Sequence, residues 1–294
     1  MALYAFDGTG NTDNEDDLKD SNVLAFFQAY QDPRKNADPD EDLGSLYLKG
    51  IGRAARTHLG MTIAEAFGIG GHRRVEQAMA RLKRNRKAGD TVVDVVGFSR
   101  GAALAMSFAN DVAEELPGQR IRFVGVFDLV GQFGAPGAHI NAGHRLSLPT
   151  NVDCCRHAMA MDESRALFPL TRLADKTGAG PASLVEMWFR GVHSDVGGGN
   201  RNKGMNWIAL HWMYRHALRC GLPIDPAAVA ANLVNKALPQ AISSHKLDLE
   251  VERRFLTNDS LHVSVQLIAS GAGRLNNPAV ALRRLDDDGN VVTV

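Results

Sequence analysis

The sequence predicts an α/β fold in which a mainly parallel sheet is flanked by helices. Predicted strands alternate with predicted helices along the chain, which is the order expected when helices connect parallel strands. Several of these strands are continuously apolar, as strands buried on both faces of a parallel sheet are. The 294 residues, 45% hydrophobic and 22% charged, suffice for one large domain, so we expect a single domain over 1–294.

The first half of the chain supplies three of the strands. Ser21 has a side chain suited to a helix N-cap. Val75, Met79 and Leu82 share one face of a later, charged helix. The glycine-rich GIGG over 68–71 is assigned to the loop before that helix, and it is a weak match to a phosphate loop because no Lys-Ser/Thr follows. The predicted elements are strands over 3–6, 45–50 and 92–96, and helices over 21–30, over 72–86 and from 100 onward.

The second half continues the alternation. Its first strand ends at Asp128, and a loop of some twenty residues, Gly131–Thr150, follows. The segment DCCRHAMAMDESRALFP is predicted as a short strand and a helix. Further predicted elements are a strand ending before His193, helices over 206–221 and 225–238, and edge strands over 261–268 and 290–294.

Charge and cysteine content exclude several classes of protein. The formal net charge is zero, so no general attraction to nucleic acid is implied. The three cysteines have no C-x-x-C spacing, which argues against a zinc site or a disulfide framework. The start of the chain lacks the apolar region of a signal peptide, and no apolar run approaches the ~20 residues of a spanning helix. We expect a soluble protein that is cytoplasmic or is exported without a signal peptide.

Ser99 stands at the most informative point of the sequence. It lies in GFSRG, directly after a β-branched strand and directly before an apolar helix. A serine in a G-x-S-x-G turn between strand and helix has its hydroxyl exposed at the sheet edge, as the nucleophile of an α/β-hydrolase-like fold does. The alternative is a plain serine at a helix start. The context favours the nucleophile.

Further polar residues follow other predicted strands. Ligands bind beyond the carboxyl ends of parallel strands, and Asp128 and His193 lie at such ends, in the chain order Ser, Asp, His that this fold uses. We predict Ser99 as nucleophile, His193 as its base and Asp128 as the acid that orients the base. His262 is the main rival of His193, and Asp195 is the rival of Asp128. With His193 as base, activity should rise with pH near ~6.5.

An ester hydrolase also needs two N–H donors for the oxyanion. One should be the amide of Arg100, directly after the nucleophile. The other should come from the loop DGTGN, where Gly8 or Thr9 presents its amide, while Asp7 braces that loop. The alternative is that DGTGN is only a turn.

Two other classes of function remain open from the residues alone. A metal-dependent phosphoesterase would use Asp7, Asn11, Asp128, His193 and Asp195 as ligands, but would leave the elbow at Ser99 unused. A catalytically idle interaction domain would leave the whole Ser-Asp-His set unused.

The long loop after Asp128 is expected to cover the site. With its glycines as hinges, Gly131–Thr150 would form a mobile lid together with the apolar helix Trp207–Leu218. Phe133, Ile140 and Leu146 would supply its apolar lining. The alternative is a surface loop without a role.

Taken together, these motifs resemble a known family, the bacterial and fungal α/β-hydrolases that include type VI secretion phospholipase effectors. The chain carries, in the family's order, FDGTGN, AFGIGG, GDTVVDVVGFSRGA, GVFDLVG, RHAMAMDESR and GVHSDVGGG. The similarity covers roughly residues 3 to 200.

The resemblance implies a serine lipase or esterase that acts on phospholipid esters and needs no cofactor. Ser99, Asp128 and His193 fall on the family's triad positions. It also implies a lipid or small ester as substrate, peripheral contact with a membrane, and a secretion-system or immunity partner. The larger effectors carry an additional membrane-docking module for which this chain has no room, so ester hydrolysis is implied more directly than activity on bilayer lipid.

Overall fold

The described part of the chain forms eight strands and six α-helices, and strands and helices alternate from β1 to β4. The computed structural model describes residues 1–9, 11, 20–35, 43–51, 63–131, 144–200, 202–235, 241–243, 250–267 and 275–293. The strands are β1 (Ala2–Phe6), β2 (Leu46–Leu48), β3 (Val93–Phe98), β4 (Ile121–Phe127), β5 (Val152–Ala160), β6 (Leu184–Phe189), β7 (Ser260–His262) and β8 (Arg283–Leu285). The helices are α1 (Asn22–Ala29), α2 (Ile63–Lys87), α3 (Arg100–Glu115), α4 (His193–Gly197), α5 (Lys203–Arg219) and α6 (Pro226–Asn235).

The strands form one sheet in the order β2-β1-β3-β4-β5-β6-β7-β8, and every neighbouring pair is parallel. The chain leaves β1 toward β2 on one side and leaves β3 toward β4 on the other. The crevice beyond the ends of β1 and β3 is therefore the topological switch point, where parallel α/β sheets bind their ligands. The predicted fold class is confirmed.

Two apolar cores cover the two faces of the sheet. Within β1, Leu3 and Ala5 join one core, whereas Tyr4 and Phe6 join the other, as the two-residue period of a strand requires. Helices α1 and α5 contribute to the first core, and α2 and α3 contribute to the second. Because both faces are covered, the central strands are largely apolar, and the candidate site residues follow their carboxyl ends.

Most predicted elements are confirmed, and four are corrected. Ser21 caps α1 by accepting a hydrogen bond from the Leu24 amide at 3.1 Å, as predicted. The GIGG segment lies inside α2, and the chain after Ala160 forms turns instead of the predicted helix. The edge strand predicted over 261–268 is confined to β7, which passes into a 3₁₀ turn. The one predicted over 290–294 is reduced to a bridge between Leu285 and Val291, beside the unpredicted β8.

The predicted lid falls largely on 132–143, outside the described residues. That range includes Phe133 and Ile140. Leu146, the third predicted lining residue, packs against the core on the α3 side. The helix over Trp207–Leu218 is not a cover, because it packs against the sheet as part of α5 and buries Trp212 completely. None of the described helices combines the length and the apolar character needed to cross a membrane.

Candidate active site

The elbow between β3 and α3 holds Ser99 in a strained conformation. Its φ is 59°, in the left-handed region that a non-glycine residue rarely adopts. At both flanking glycines the neighbouring backbone leaves no room for a side chain. A Cβ at Gly97 would lie 2.7 Å from Ala102 Cα, and one at Gly101 would lie 2.3 Å from Phe6 O. The turn therefore packs backbone to backbone, and this fixes the direction of the serine side chain.

Ser99 is the first member of a chain of hydrogen bonds. Its Oγ lies 2.8 Å from His193 Nε2, and His193 Nδ1 lies 2.6 Å from Asp128 Oδ2. Ser99 is only 2% exposed, so the expectation of a solvent-exposed serine is corrected. The structure thus brings together the three predicted residues from the ends of β3, β4 and β6, which lie far apart in sequence.

Asp128 is fully buried and held by several donors. Its Oδ1 accepts from the Ala160 amide at 2.8 Å, and both carboxylate oxygens accept from the Arg253 guanidinium. Burial alone would raise the pKa of Asp128. The charge of Arg253 and the hydrogen bonds from His193 and Arg253 outweigh burial and hold that pKa far below its usual range. Asp128 is therefore ionised and accepts only, so His193 donates from Nδ1 and keeps Nε2 free to accept from Ser99.

The His193 ring lies between two aromatic rings. Ring centroids of Phe98 and Phe168 are 4.6 Å and 4.7 Å from that of His193. The His193 amide donates to Glu163 Oε2 at 3.1 Å. Burial lowers the pKa of His193, and the hydrogen bond and charge of Asp128 offset only part of this effect. The imidazole is therefore neutral near pH 7, as a general base must be.

A cavity of about 250 Å³ opens onto Ser99 and His193. Phe98 and Phe168 contribute apolar surface to its wall. Arg100 and Arg165 also lie in the wall, and Arg165 is paired there with Glu163 at 2.7 Å. Arg165 stacks on the Phe168 ring, with its guanidinium carbon 4.0 Å from the ring centroid. The cavity thus joins apolar and cationic side chains beside Ser99.

The loop after β1 borders this cavity, and Asp7 braces it as predicted. Asp7 Oδ1 accepts from the Gly8 amide at 2.6 Å, and Oδ2 accepts from the hydroxyls of Ser21 and Tyr47 at 2.6 Å and 2.5 Å. The Gly8 amide is thereby occupied by the Asp7 carboxylate. Of the two predicted donors in this loop, Thr9 is the one that lines the cavity.

The rival histidines lie elsewhere. His262 at the end of β7 contacts Ser264 Oγ at 2.8 Å and Asp287 Oδ1 at 3.2 Å. His157 lies buried within β5. Its Nδ1 faces Glu186 Oε1 at 2.8 Å, and its Nε2 accepts from the Leu129 amide at 3.2 Å.

The residues of the alternative metal site do not form one cluster of ligands. Asp195 accepts from the Val192 and Ser243 amides at 3.1 Å and 2.9 Å, and so ties α4 to a later loop. Asp7 braces the first loop, and Asp128 is occupied by Arg253 and His193. Within the described ranges, no group of three His, Cys, Asp or Glu side chains is arranged to hold a metal ion.

Two functional contacts escaped sequence reasoning. Arg253 lies 125 residues after its partner Asp128, in a segment without a motif, so nothing local signals their contact. Glu163, which accepts from the His193 amide, lies within the RHAMAMDESR motif. That motif is the sequence feature that could have pointed to Glu163, but the motif alone does not indicate what this residue does.

Comparison with known proteins places the chain in a family. The family model described as "T6SS, Phospholipase effector Tle1-like, catalytic domain" matches residues 3–115 and 109–216. The chain belongs to this family. Among curated proteins, none matches the Tle1-like chain significantly.

Solved structures resemble this Tle1-like catalytic domain over part of their length. The crystal structure of an uncharacterized protein from Pseudomonas aeruginosa covers 78% of the chain at 22% identity, with a TM-score of 0.52. The Tle1 effector bound to the VgrG spike from the type 6 secretion system covers 69% at 25% identity, with a TM-score of 0.48. The chain spans about half the length of these two, 47% and 51%. The structural similarity to the Pseudomonas aeruginosa protein supports the assignment of the fold.

Proposed function

We propose that the protein hydrolyses acyl esters of phospholipids with Ser99 as nucleophile, His193 as general base and Asp128 as orienting acid. The observation that carries this proposal is the hydrogen-bonded chain from Ser99 Oγ through His193 to Asp128, with distances of 2.8 Å and 2.6 Å. Membership of a family of phospholipase effectors supports the ester-hydrolysing chemistry.

The reaction begins with attack by Ser99 Oγ on the acyl carbon. His193 Nε2 takes the hydroxyl proton, and buried Asp128 stabilises the imidazolium that forms. The amides of Arg100 and Thr9 are the proposed donors to the oxyanion. Collapse of the tetrahedral intermediate breaks the ester bond, and His193 returns the proton to the leaving alkoxide. Water then hydrolyses the acyl-enzyme by the same steps, which frees the fatty acid and restores Ser99.

The cavity wall supports an anionic substrate. Arg100 lines it, and Arg165 lies there paired with Glu163, so the phosphate of a phospholipid would meet the positive charge of Arg100 close to the reacting ester. The family description also supports release through a type VI secretion system and action on lipid in a target cell. We propose both for this chain, together with a partner from that secretion system.

Purified protein should release fatty acid from phosphatidylcholine or phosphatidylglycerol in mixed micelles. The release should persist in excess EDTA, and a fluorophosphonate should label Ser99, which peptide mass spectrometry identifies. Inhibition by EDTA that Zn²⁺ or Mg²⁺ restores would instead support the metal-dependent alternative. Absence of fatty acid release together with absence of Ser99 labelling would refute the serine mechanism.

Activity should rise with pH along a single ionisation whose midpoint lies below ~6.5, the ordinary histidine value. The base must be neutral, so activity appears as pH rises through the pKa of His193. Burial lowers that pKa, so the sequence-based expectation of an unshifted value is revised downward. The measurement is kcat/KM for a soluble short-chain ester between pH 4 and pH 9. A midpoint at or above 7 would contradict the environment of His193 described above.

A further inference from the structure

We propose that Arg253 is a positioning residue of the active site, which locks the Asp128 carboxylate in place and whose charge opposes protonation of His193. The inference rests on the proposed serine hydrolase function. It assigns Arg253 a role in setting the pH range of the enzyme, beyond its contribution to the fold.

The contact between Arg253 and Asp128 is bidentate and buried. Arg253 Nη1 donates to Oδ1 at 2.5 Å, and Nη2 donates to Oδ2 at 2.8 Å. The same two nitrogens donate to the carbonyl oxygens of Ala160 at 2.6 Å and Phe168 at 3.1 Å. Arg253 is 8% exposed. Its guanidinium therefore connects the acid of the triad to the end of β5 and to the backbone of Phe168, whose ring packs on His193.

The donors around Asp128 leave its carboxylate no freedom to rotate. Oδ1 accepts from the Ala160 amide and Arg253 Nη1, and Oδ2 accepts from His193 Nδ1 and Arg253 Nη2. Two carboxylate oxygens offer about four lone-pair sites, so all of them are used. Asp128 itself has φ 42°, a strained backbone conformation that these contacts hold in place.

A cation bound to the triad acid also changes its electrostatic effect. The imidazolium formed during catalysis is stabilised by the negative charge of Asp128, and Arg253 neutralises part of that charge. The charged groups that act on His193 are Asp128 and Glu163, which favour protonation, and Arg253, which opposes it. Arg165 pairs with Glu163, and Asp195 of α4 is turned toward Ser243. Ser99 and the two aromatic rings are the uncharged neighbours of the imidazole.

Two substitutions separate charge from geometry. Arg253→Gln removes the charge, so the pH below which activity is lost should move to a higher value. Its kcat/KM should also fall by about 10²-fold, the usual effect of a misplacement of about 1 Å. Arg253→Lys retains the charge but cannot bind both oxygens through a planar fork. The lysine variant should therefore keep the wild-type acid limb of the pH profile while its kcat falls.

Arg122→Gln is the matched control. Arg122 forms the same kind of bidentate pair with buried Asp94, through Nε at 3.0 Å and Nη2 at 2.5 Å. Asp94 lies near the start of β3, at the opposite end of the strand from Ser99. Loss of the Arg122–Asp94 pair should lower the melting temperature without moving the pH profile, because the pair does not contact the triad.

Circular dichroism and thermal melting establish that each variant is folded. A second readout is the downfield proton NMR signal of His193 Nδ1–H, which should shift in Arg253→Gln and not in Arg122→Gln. If Arg253→Gln does not fold, the lysine variant provides the test. The inference then predicts that the acid limb of its pH profile is unchanged and that its kcat is reduced.

An acid limb that stays in place in a folded Arg253→Gln variant would overturn the inference, and so would an equal shift in the Arg122→Gln control. A lysine variant with full kcat would overturn the role of the fork. A wild-type protein that hydrolyses no ester would instead refute the proposed function, so the two failures are distinguishable.

Discussion

Replacement of Ser99 by alanine is expected to lower kcat for acyl ester hydrolysis by about 10⁶-fold, since triad members act as a unit. Without Oγ no acyl-enzyme can form, and only the acceleration due to binding and the oxyanion donors remains. The alanine methyl occupies the same strained backbone position, with φ 59°, and the substitution deletes one hydrogen bond, to His193 Nε2. The melting temperature should therefore change by a few degrees at most, as a loss of about 1 kcal/mol implies.

Ser194→Ala is the matched control for this substitution. Ser194 lines the same cavity and follows His193 directly, but its Oγ accepts from Asn200 Nδ2 at 2.9 Å. This variant should retain activity within about tenfold and should still be labelled by a fluorophosphonate. Turnover of Ser99→Ala near the wild-type rate, with unchanged melting, would remove Ser99 from the mechanism.

The site was predictable where it depends on the ends of parallel strands. Ser99 and Asp128 each follow a strand directly, and His193 follows the short turn after β6, so the alternation of strands and helices was sufficient to bring them to one edge of the sheet. The glycines that flank Ser99 also indicated the direction of its side chain. Arg253 was not predictable, because it reaches Asp128 from a segment outside the regular elements, and such a contact depends on tertiary packing alone.

The prediction of a helix after Ala160 is wrong for a physical reason. Its residues have helical propensity, but the carboxylates of Asp162 and Glu163 accept instead from the amides of Gly191 and His193, at 2.7 Å and 3.1 Å. These long-range contacts hold the segment beside the triad in an irregular conformation. Tertiary interactions thus override a local preference that is worth only tenths of a kcal/mol per residue.

The choice between His193 and His262 could not be made with certainty from local sequence, since both residues flank the end of an apolar strand. The strand order decides it geometrically. His193 follows β6 and reaches Ser99 through the turn that begins α4, whereas His262 ends β7, one strand farther from β3. His262 is also occupied by Ser264 and Asp287.

His193→Ala is therefore expected to lose about as much activity as Ser99→Ala, roughly 10⁶-fold in kcat, because the serine loses its base. His262→Ala should keep most of the activity. The two histidines are comparably buried, at 5% and 2% exposure, and both stack on a phenylalanine, Phe98 or Phe189. Loss of stability should therefore be similar in the two variants, and a difference in kcat at matched melting temperature isolates catalysis from folding.

Added imidazole provides a further test of the His193→Ala variant. The ring it lacks lies between Phe98 and Phe168, so the substitution leaves an aromatic-walled space next to Ser99. Free imidazole that enters this space can accept the Ser99 proton, and the restored rate should increase with imidazole concentration and follow its neutral form as pH is varied. Imidazole should have no such effect on His262→Ala. An inactive His262→Ala variant beside an active His193→Ala variant would transfer the role of base to the end of β7 and would contradict the geometry of the site.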